Sequence, residues 1–404
     1  MLNHHLKKKL FILVSMIMIS CTACSPSGDI GLKFAANHQL MGGLEMANVG
    51  KASQAMEKWS EKHHKQKEDD ESVDKQKITT LKKDVKGIYL NKESMKKENI
   101  GTYIDLIEDT GLNAVVMDVK DDFGKLTYDS DVEVAKEIES DREATVENMK
   151  ALLHRLKDAG IYTIARIVVF KDPYLAEQKP EWAIDKRDGG IWKDESGVQW
   201  IDPYKQEVWK YVTDIAKEVG TLGFDEIQYD YIRFPENAKE IDKIVTYDND
   251  ADTSKAENIT RFLAYSNNVL KDTSVQTSAD VFGLVTSSED DMGIGQIWED
   301  ISEQVDVISP MTYPSHYGPG VYGIDEPNDN PYALIKHAMG DALKRNRKLG
   351  DKQAVIRPWV QDFSMKRTYT AADIKDQIRA MNDQGITQFL VWNAKNEYTK
   401  DAYK

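Results

Sequence analysis

The chain has 404 residues, 41% of them hydrophobic and 30% charged, with a formal net charge of −15. That hydrophobic share supports a packed core and excludes wholesale disorder, while the acidic balance argues against nucleic acid, whose partners present a basic face. Both cysteines, Cys21 and Cys24, lie near the N-terminus, so the folded part has no disulfide, no thiolate nucleophile and no cysteine metal cluster.

Lys7, Lys8 and Lys9 precede an apolar run from Leu10 to Ile19, too short for a stable membrane-spanning helix. A positive start, a short apolar stretch and a small residue before a cleavage point describe an export signal over residues 1–20. Its end, Met18-Ile19-Ser20-Cys21, resembles a bacterial lipobox, so Cys21 is the expected lipidation site and a cell-membrane anchor on the extracytoplasmic face is the expected location. Cys24 is the rival, although it would put Cys21 where an apolar residue is usual; an ordinary secretory signal with incidental cysteines is the plainer alternative. Residues 21–84 read as a flexible tether. Lys51 to Lys86 holds ten Lys and eight Asp or Glu, with no Pro and no Gly and no continuous apolar face.

From Val85 short β-branched runs alternate with helical stretches. Strands are expected at 85–90, 114–119, 162–170, 226–232, 275–282, 306–312, 354–360 and 388–392, and helices at 145–159, 205–219, 258–271, 332–346 and 371–384, among others. Gly111, Gly160, Gly220 and Gly385 stand where helices should stop. Eight strands with seven intervening helices predict a (β/α)8 barrel over residues 85–404 whose last helix is short or missing. A doubly wound open sheet would show a glycine-rich phosphate turn after its first strand, and Tyr89-Leu90-Asn91-Lys92 is nothing like one.

Strand parity places the polar groups. Glu226, Gln228 and Asp230 share one face of the fourth strand; Gln276, Ser278 and Asp280 share one face of the fifth; Asp118 and Lys120 share one face of the second. Arg166 alternates with apolar neighbours in the third strand, as Arg357 does with Trp359 and Gln361 in the seventh. Outward faces pack on helices, so these polar sets should point inward, with Asp118, Asp230 and Asp280 near the C-terminal mouth where barrel enzymes work.

The blocks Val115–Gly124, Gln228–Pro235, Ser278–Gly283, Ser309–Pro314, Arg357–Phe363 and Val391–Ala394 resemble a bacterial family described as a putative glycosyl-hydrolase domain, from about Val85 to the C-terminus. The resemblance implies a TIM-barrel, glycosidase-like domain that is often exported or tethered.

Residue chemistry supplies the candidate roles. Glycoside hydrolysis needs one carboxyl group to protonate the leaving oxygen and another to attack or to activate water. Asp230 is the candidate nucleophile or base, with Arg233 just beyond it to hold it ionised. Asp280, among apolar neighbours on the adjacent strand, is the candidate acid, and Asp118 and Glu226 are reserves. Tyr313, Trp359 and Trp392 are candidates to stack on sugar rings, and Gln361 and Asn393 to bond hydroxyls. Asp118, Lys120 and Arg166 complete the expected carbohydrate-binding set, and Trp182, Trp192 and Trp200 are expected to wall the cleft. A Schiff-base role for Lys120 is weaker than a charge-satisfying one beside Asp118, Asp121 and Asp122. Only His316 among the barrel histidines falls on a loop, so no metal site and no cofactor are expected. A non-catalytic carbohydrate-binding barrel is the second reading.

Overall fold

The computed structural model describes residues 84–249 and 252–404. The expected export signal, Cys21, Cys24 and all of the tether except Asp84 lie outside the described residues. The barrel strands are β1 (Lys86–Leu90), β2 (Ala114–Lys120), β3 (Tyr162–Val168), β4 (Glu226–Asp230), β5 (Gln276–Phe282), β6 (Val307–Met311), β7 (Val355–Ile356, resuming as Trp359–Gln361) and β8 (Phe389–Trp392). Between them run α1 (Ile100–Glu108), α2 (Met149–Asp158), α3 (Gln206–Leu222), α4 (Lys255–Leu270), α5 (Trp298–Ser302), α6 (Pro331–Asn346) and α7 (Ala371–Asn382). All neighbouring barrel strands pair in parallel, and β8 pairs with β1 through Lys86↔Phe389, which closes the sheet. After β8 there is only a 3-10 turn at Lys400–Ala402.

The departures from the expected bounds have local causes. β4 stops at Asp230 because Tyr231 turns into the left-handed region at φ 52°. β7 breaks at Arg357-Pro358, where proline has no N–H for the ladder. Helix α3 runs through Gly220, because Leu222 still packs on the core, and ends at Gly223 with φ 114°. Helix α1 is over by Asp109, before Gly111.

Two cores follow from strand alternation. Ile88, Val115, Met117, Ile227 and Tyr229 face outward onto helix residues such as Leu153, Val212 and Phe262. Tyr89, Ala114, Val116, Ile164, Trp359 and Leu390 face the barrel axis. Traced round the barrel, the registers are staggered, so inward side chains stack in layers drawn from alternate strands. The uppermost layer is Asp118, Asp230, Met311 and Trp392, from β2, β4, β6 and β8. Beneath it lie Tyr89, Arg166, Asp280 and Trp359, then Val116, Gln228, Ser309 and Leu390, then Gly87, Ile164, Ser278 and Arg357. Glu226 and Gln388 belong to the layer below that.

Over the mouth, Asp185–Lys186 and Val245–Thr246 form a two-stranded antiparallel ladder. It ties the loop after β3 to the loop after β4.

Candidate active site

Arg166 organises the mouth. From the second layer its guanidinium reaches upward, donating from Nη1 to Asp118 Oδ1 at 2.6 Å and from Nε and Nη2 to Asp230 Oδ2 at 2.9 and 2.6 Å. It also meets Asp122, just beyond β2, at 3.3 to 3.4 Å. Burial opposes the charge on Arg166, but Asp122, Asp230 and Asp118 together hold its proton more firmly than usual. Asp230 Oδ1 accepts from the Tyr231 N–H at 2.7 Å, so the left-handed turn after β4 fixes the carboxyl plane.

The carboxyl groups differ in character. Asp280 is 1% exposed, and burial, followed by the charge of Asp230, pushes its proton affinity well above the ordinary carboxylate value. Trp359 Nε1 donates to Asp280 Oδ1 at 2.7 Å and works against that rise. Asp118 is pushed up to about 6, chiefly by burial, with Arg166 opposing and Asp122 assisting; Tyr89 donates its hydroxyl to Asp118 Oδ2 at 2.5 Å. Asp122, with a side chain 34% exposed, goes the other way: burial raises it, but the charge and hydrogen bonds of Arg166 prevail. Because Tyr229 and Ala279 are register partners, Asp230 and Asp280 follow as neighbours at the ends of β4 and β5, where strand spacing is about 4.8 Å.

Several residues stand elsewhere than their sequence positions suggest. A register shift between Asp118 and Lys120 breaks the parity of β2 and turns Lys120 off the inward face. There Lys120 pairs with Asp172 at 2.7 Å and donates to the Val168 carbonyl at 2.7 Å, fully buried. Arg233 does not hold Asp230. It donates to the Phe234 carbonyl and to Glu236, and its guanidinium lies 4.4 to 5.1 Å from the ring centres of Phe282, Trp200 and Tyr231. Glu226 pairs with Arg357 at 2.8 Å at the other end of the barrel from the mouth.

Gln361 accepts from the Ser315 N–H and donates to the Phe363 carbonyl. Asn393 donates to the carbonyls of Asp362 and Glu397 and accepts from the Lys395 N–H. These amides shape loops, and their hydrogen-bonding atoms are taken. Trp359 is buried as the donor to Asp280, whereas Trp392 stacks on Tyr89 with ring centres 4.1 Å apart and lines a cleft. Tyr313 packs against His316 and Phe363. Trp192 and Trp200 are buried in the outer core and Trp182 packs against it.

Trp392, Asn393, His316, Phe363, Met365 and Lys395 are among the residues that line a cleft of about 680 Å³; none of Asp118, Asp122, Asp230 and Asp280 lines it, and Trp392, stacked on Tyr89, links it to the carboxyl cluster. Tyr89 and Asp122 are the members of the site that parity reasoning missed. Tyr89 reads as an ordinary strand aromatic, and Asp122 lies past the bulge, where alternation has no meaning. Asp121-Asp122-Phe123-Gly124 is a tight turn in which Asp121 Oδ1 accepts from the N–H groups of Phe123 and Lys125. Among the described residues no cluster of His, Cys, Asp and Glu has metal-binding geometry.

A family described as a putative glycosyl hydrolase domain matches residues 87–398. A hypothetical protein from Ruminiclostridium thermocellum is 36% identical over 51% of this chain and 98% of its own, with a TM-score of 0.43. The PgaB (BpsB) glycoside hydrolase domain from Bordetella bronchiseptica shares the fold at 12% identity, with a TM-score of 0.54 over 79% of this chain and 99% of that one. A β-galactosidase from Marinomonas ef1 is similar at 12% identity and a TM-score of 0.50, over 76% of this chain and 54% of its own. Among curated proteins the chain has no match.

Proposed function

Since the chain belongs to the putative glycosyl hydrolase domain family, we propose that it cleaves a glycosidic bond in a polysaccharide or oligosaccharide with two carboxyl groups at the barrel mouth. Asp280 donates the proton to the leaving oxygen, and Asp230 acts as nucleophile or base. The observation that carries this reading is the contrast between neighbours. Asp280 is buried and holds its proton more firmly than an ordinary carboxyl, while Asp230 next to it meets the Arg166 guanidinium and the Tyr231 N–H. A carboxyl group whose surroundings favour its protonated form suits the acid role in such a pair. Trp392, which lines the cleft, suits the apolar face of a sugar ring.

In the same reading the enzyme works outside the membrane, tethered by lipid on Cys21, with residues 21–84 as the spacer. The support is the run of Lys7–Lys9, the short apolar stretch and the Ser20-Cys21 junction. Incorporation of a fatty-acid probe should vanish in Cys21→Ala; labelling that persists would move the anchor to another residue such as Cys24, and an unaltered protein that takes up no probe would remove it.

The activity is tested by turnover on cell-wall and extracellular glycans, beside a binding assay on the same panel. On a cleaved glycan, Asp230→Asn and Asp280→Asn should each lose at least ~10²-fold in kcat. The second reading, a carbohydrate-binding barrel without turnover, draws on the near-complete burial of Asp280. Binding without turnover by the unaltered protein would favour it.

A further inference from the structure

One layer beneath Asp280 the barrel axis is polar. Gln228 on β4 and Ser309 on β6 share that layer with Val116 and Leu390, and both are fully buried. Neither Gln228 Nε2, Gln228 Oε1 nor Ser309 Oγ has a hydrogen-bond partner within the protein. The layer below supplies Arg357, which donates from Nε to Gln388 and from Nη1 to both oxygens of Glu226. Its Nη2 has no partner either. Buried polar groups are nearly always satisfied, and here the unsatisfied ones converge from β4, β6 and β7 on one stretch of the axis.

We infer that this stretch is a binding site for internal water, held by Gln228, Ser309 and Arg357 Nη2, and that Gln228 acts through the water as a positioning residue for Asp280.

The chemistry of the lining selects the ligand. An anion would suit Arg357 Nη2, the Gln228 N–H groups and the Ser309 hydroxyl, but Glu226, Asp230 and Asp118 already outnumber Arg166 and Arg357 along the axis. A cation would meet the Nη2 hydrogens. Water both donates and accepts, and the site offers the two to four polar partners that buried water requires. The consequence for Asp280 follows from its surroundings. Arg166 acts on it from β3, Asp230 and Glu226 from β4, Trp359 from β7, and Tyr313 from the loop after β6. Water one layer beneath can turn an O–H toward the carboxyl, which favours its charged form against the opposing charge of Glu226 below. The assignment of Asp280 as an acid rests on the hydrolase reading; the water site does not.

The test uses no turnover. A high-resolution crystal structure of the full chain should show water bonded to Gln228, Ser309 and Arg357 Nη2. Infrared difference spectra against pH, with Asp280→Asn identifying the band, read the titration of the Asp280 carboxyl. Gln228→Leu should lose the water and move that titration upward by about one pH unit, a tenfold change in proton affinity. Ser309→Ala, a smaller change that spares packing if Gln228→Leu fails to fold, should shift it the same way by less. Gln228 found bonded directly to Arg357 with no water between them would overturn the site. A titration unmoved by either variant would overturn the positioning role. A protein inactive on every glycan would sink the hydrolase reading and leave this one standing.

Discussion

Trp359 and Asp280 meet across a strand: the indole N–H of β7 donates to the carboxyl of β5 at 2.7 Å, inside the barrel past β6, at the level between Ser309 and Met311. The layered interior makes this possible, since side chains of alternate strands stand at one height. The indole is the donor closest to the candidate acid. Trp359→Phe keeps most of the apolar bulk and removes the N–H. The lost bond should cost about 1 kcal/mol in stability. Asp280 should hold its proton still more tightly, and the alkaline limb of the pH profile of kcat/KM should move up. Denaturant unfolding and a pH–rate series check the two parts separately.

Arg166 serves Asp118, Asp122 and Asp230 at once, so Arg166→Met should leave several carboxyl groups crowded without a counter-charge. A loss of about 3–5 kcal/mol is expected, the range for breaking a buried ion pair. Adding Asp118→Asn should return part of it. Additive losses in that double-mutant cycle would show that the two residues are not coupled in the folded protein.

Asp118 makes stability depend on pH. Its carboxyl is raised to about 6 in the folded chain from an ordinary 3.8, so the native state binds the proton more tightly than the unfolded one. The stabilisation is complete below the ordinary value and is lost as pH rises through about 6; it amounts to about 3 kcal/mol. Asp202, also raised to about 6 by burial, acts in the same sense. Asp118→Asn should therefore flatten, without abolishing, the fall in stability between pH 4 and 7. Unfolding curves at stepped pH measure the difference.

Gly124 ends the turn after β2 at φ 82°, and a Cβ there would lie 1.9 Å from Asp172 Oδ1. Asp172 caps the helix Pro173–Gln178 at the Leu175 N–H and pairs with Lys120. Gly124→Ala should cost about 1–3 kcal/mol through strain and displacement of that carboxylate. A thermal-unfolding comparison with Gly189→Ala, whose φ is also positive but whose Cβ would meet nothing, isolates the clash.

The strands, their parity and the inward acids were legible because alternation in a closed barrel has one solution: outward positions must be apolar. Asp118, Arg166, Asp230 and Asp280 obey that rule. Lys120 does not, because one extra residue in β2 reverses the face and no composition signal marks the bulge. Which cation serves Asp230 was equally hidden. Arg233 is near in sequence, but Arg166 is the register partner of Gln228 and has the reach to climb one layer. The amides of Gln361 and Asn393 looked available because sequence shows side chains and not the loop carbonyls that engage them.

The closure of the barrel has a kinetic consequence. Asn396 accepts from the Asn91 N–H at 2.8 Å and from Ser94 Oγ at 2.6 Å, and donates to the Tyr89 carbonyl at 2.8 Å. These contacts join positions more than 300 apart in the chain. During synthesis, β1 emerges long before the segment that covers its upper end and the strand that pairs with its open edge. Until then that edge is an unpaired template for other chains. Contacts of such range are slow to form, because the loop entropy is lost before the pairing rewards it. The barrel is therefore expected to close only once β8 has been made, after an interval set by how long β1 waits for it.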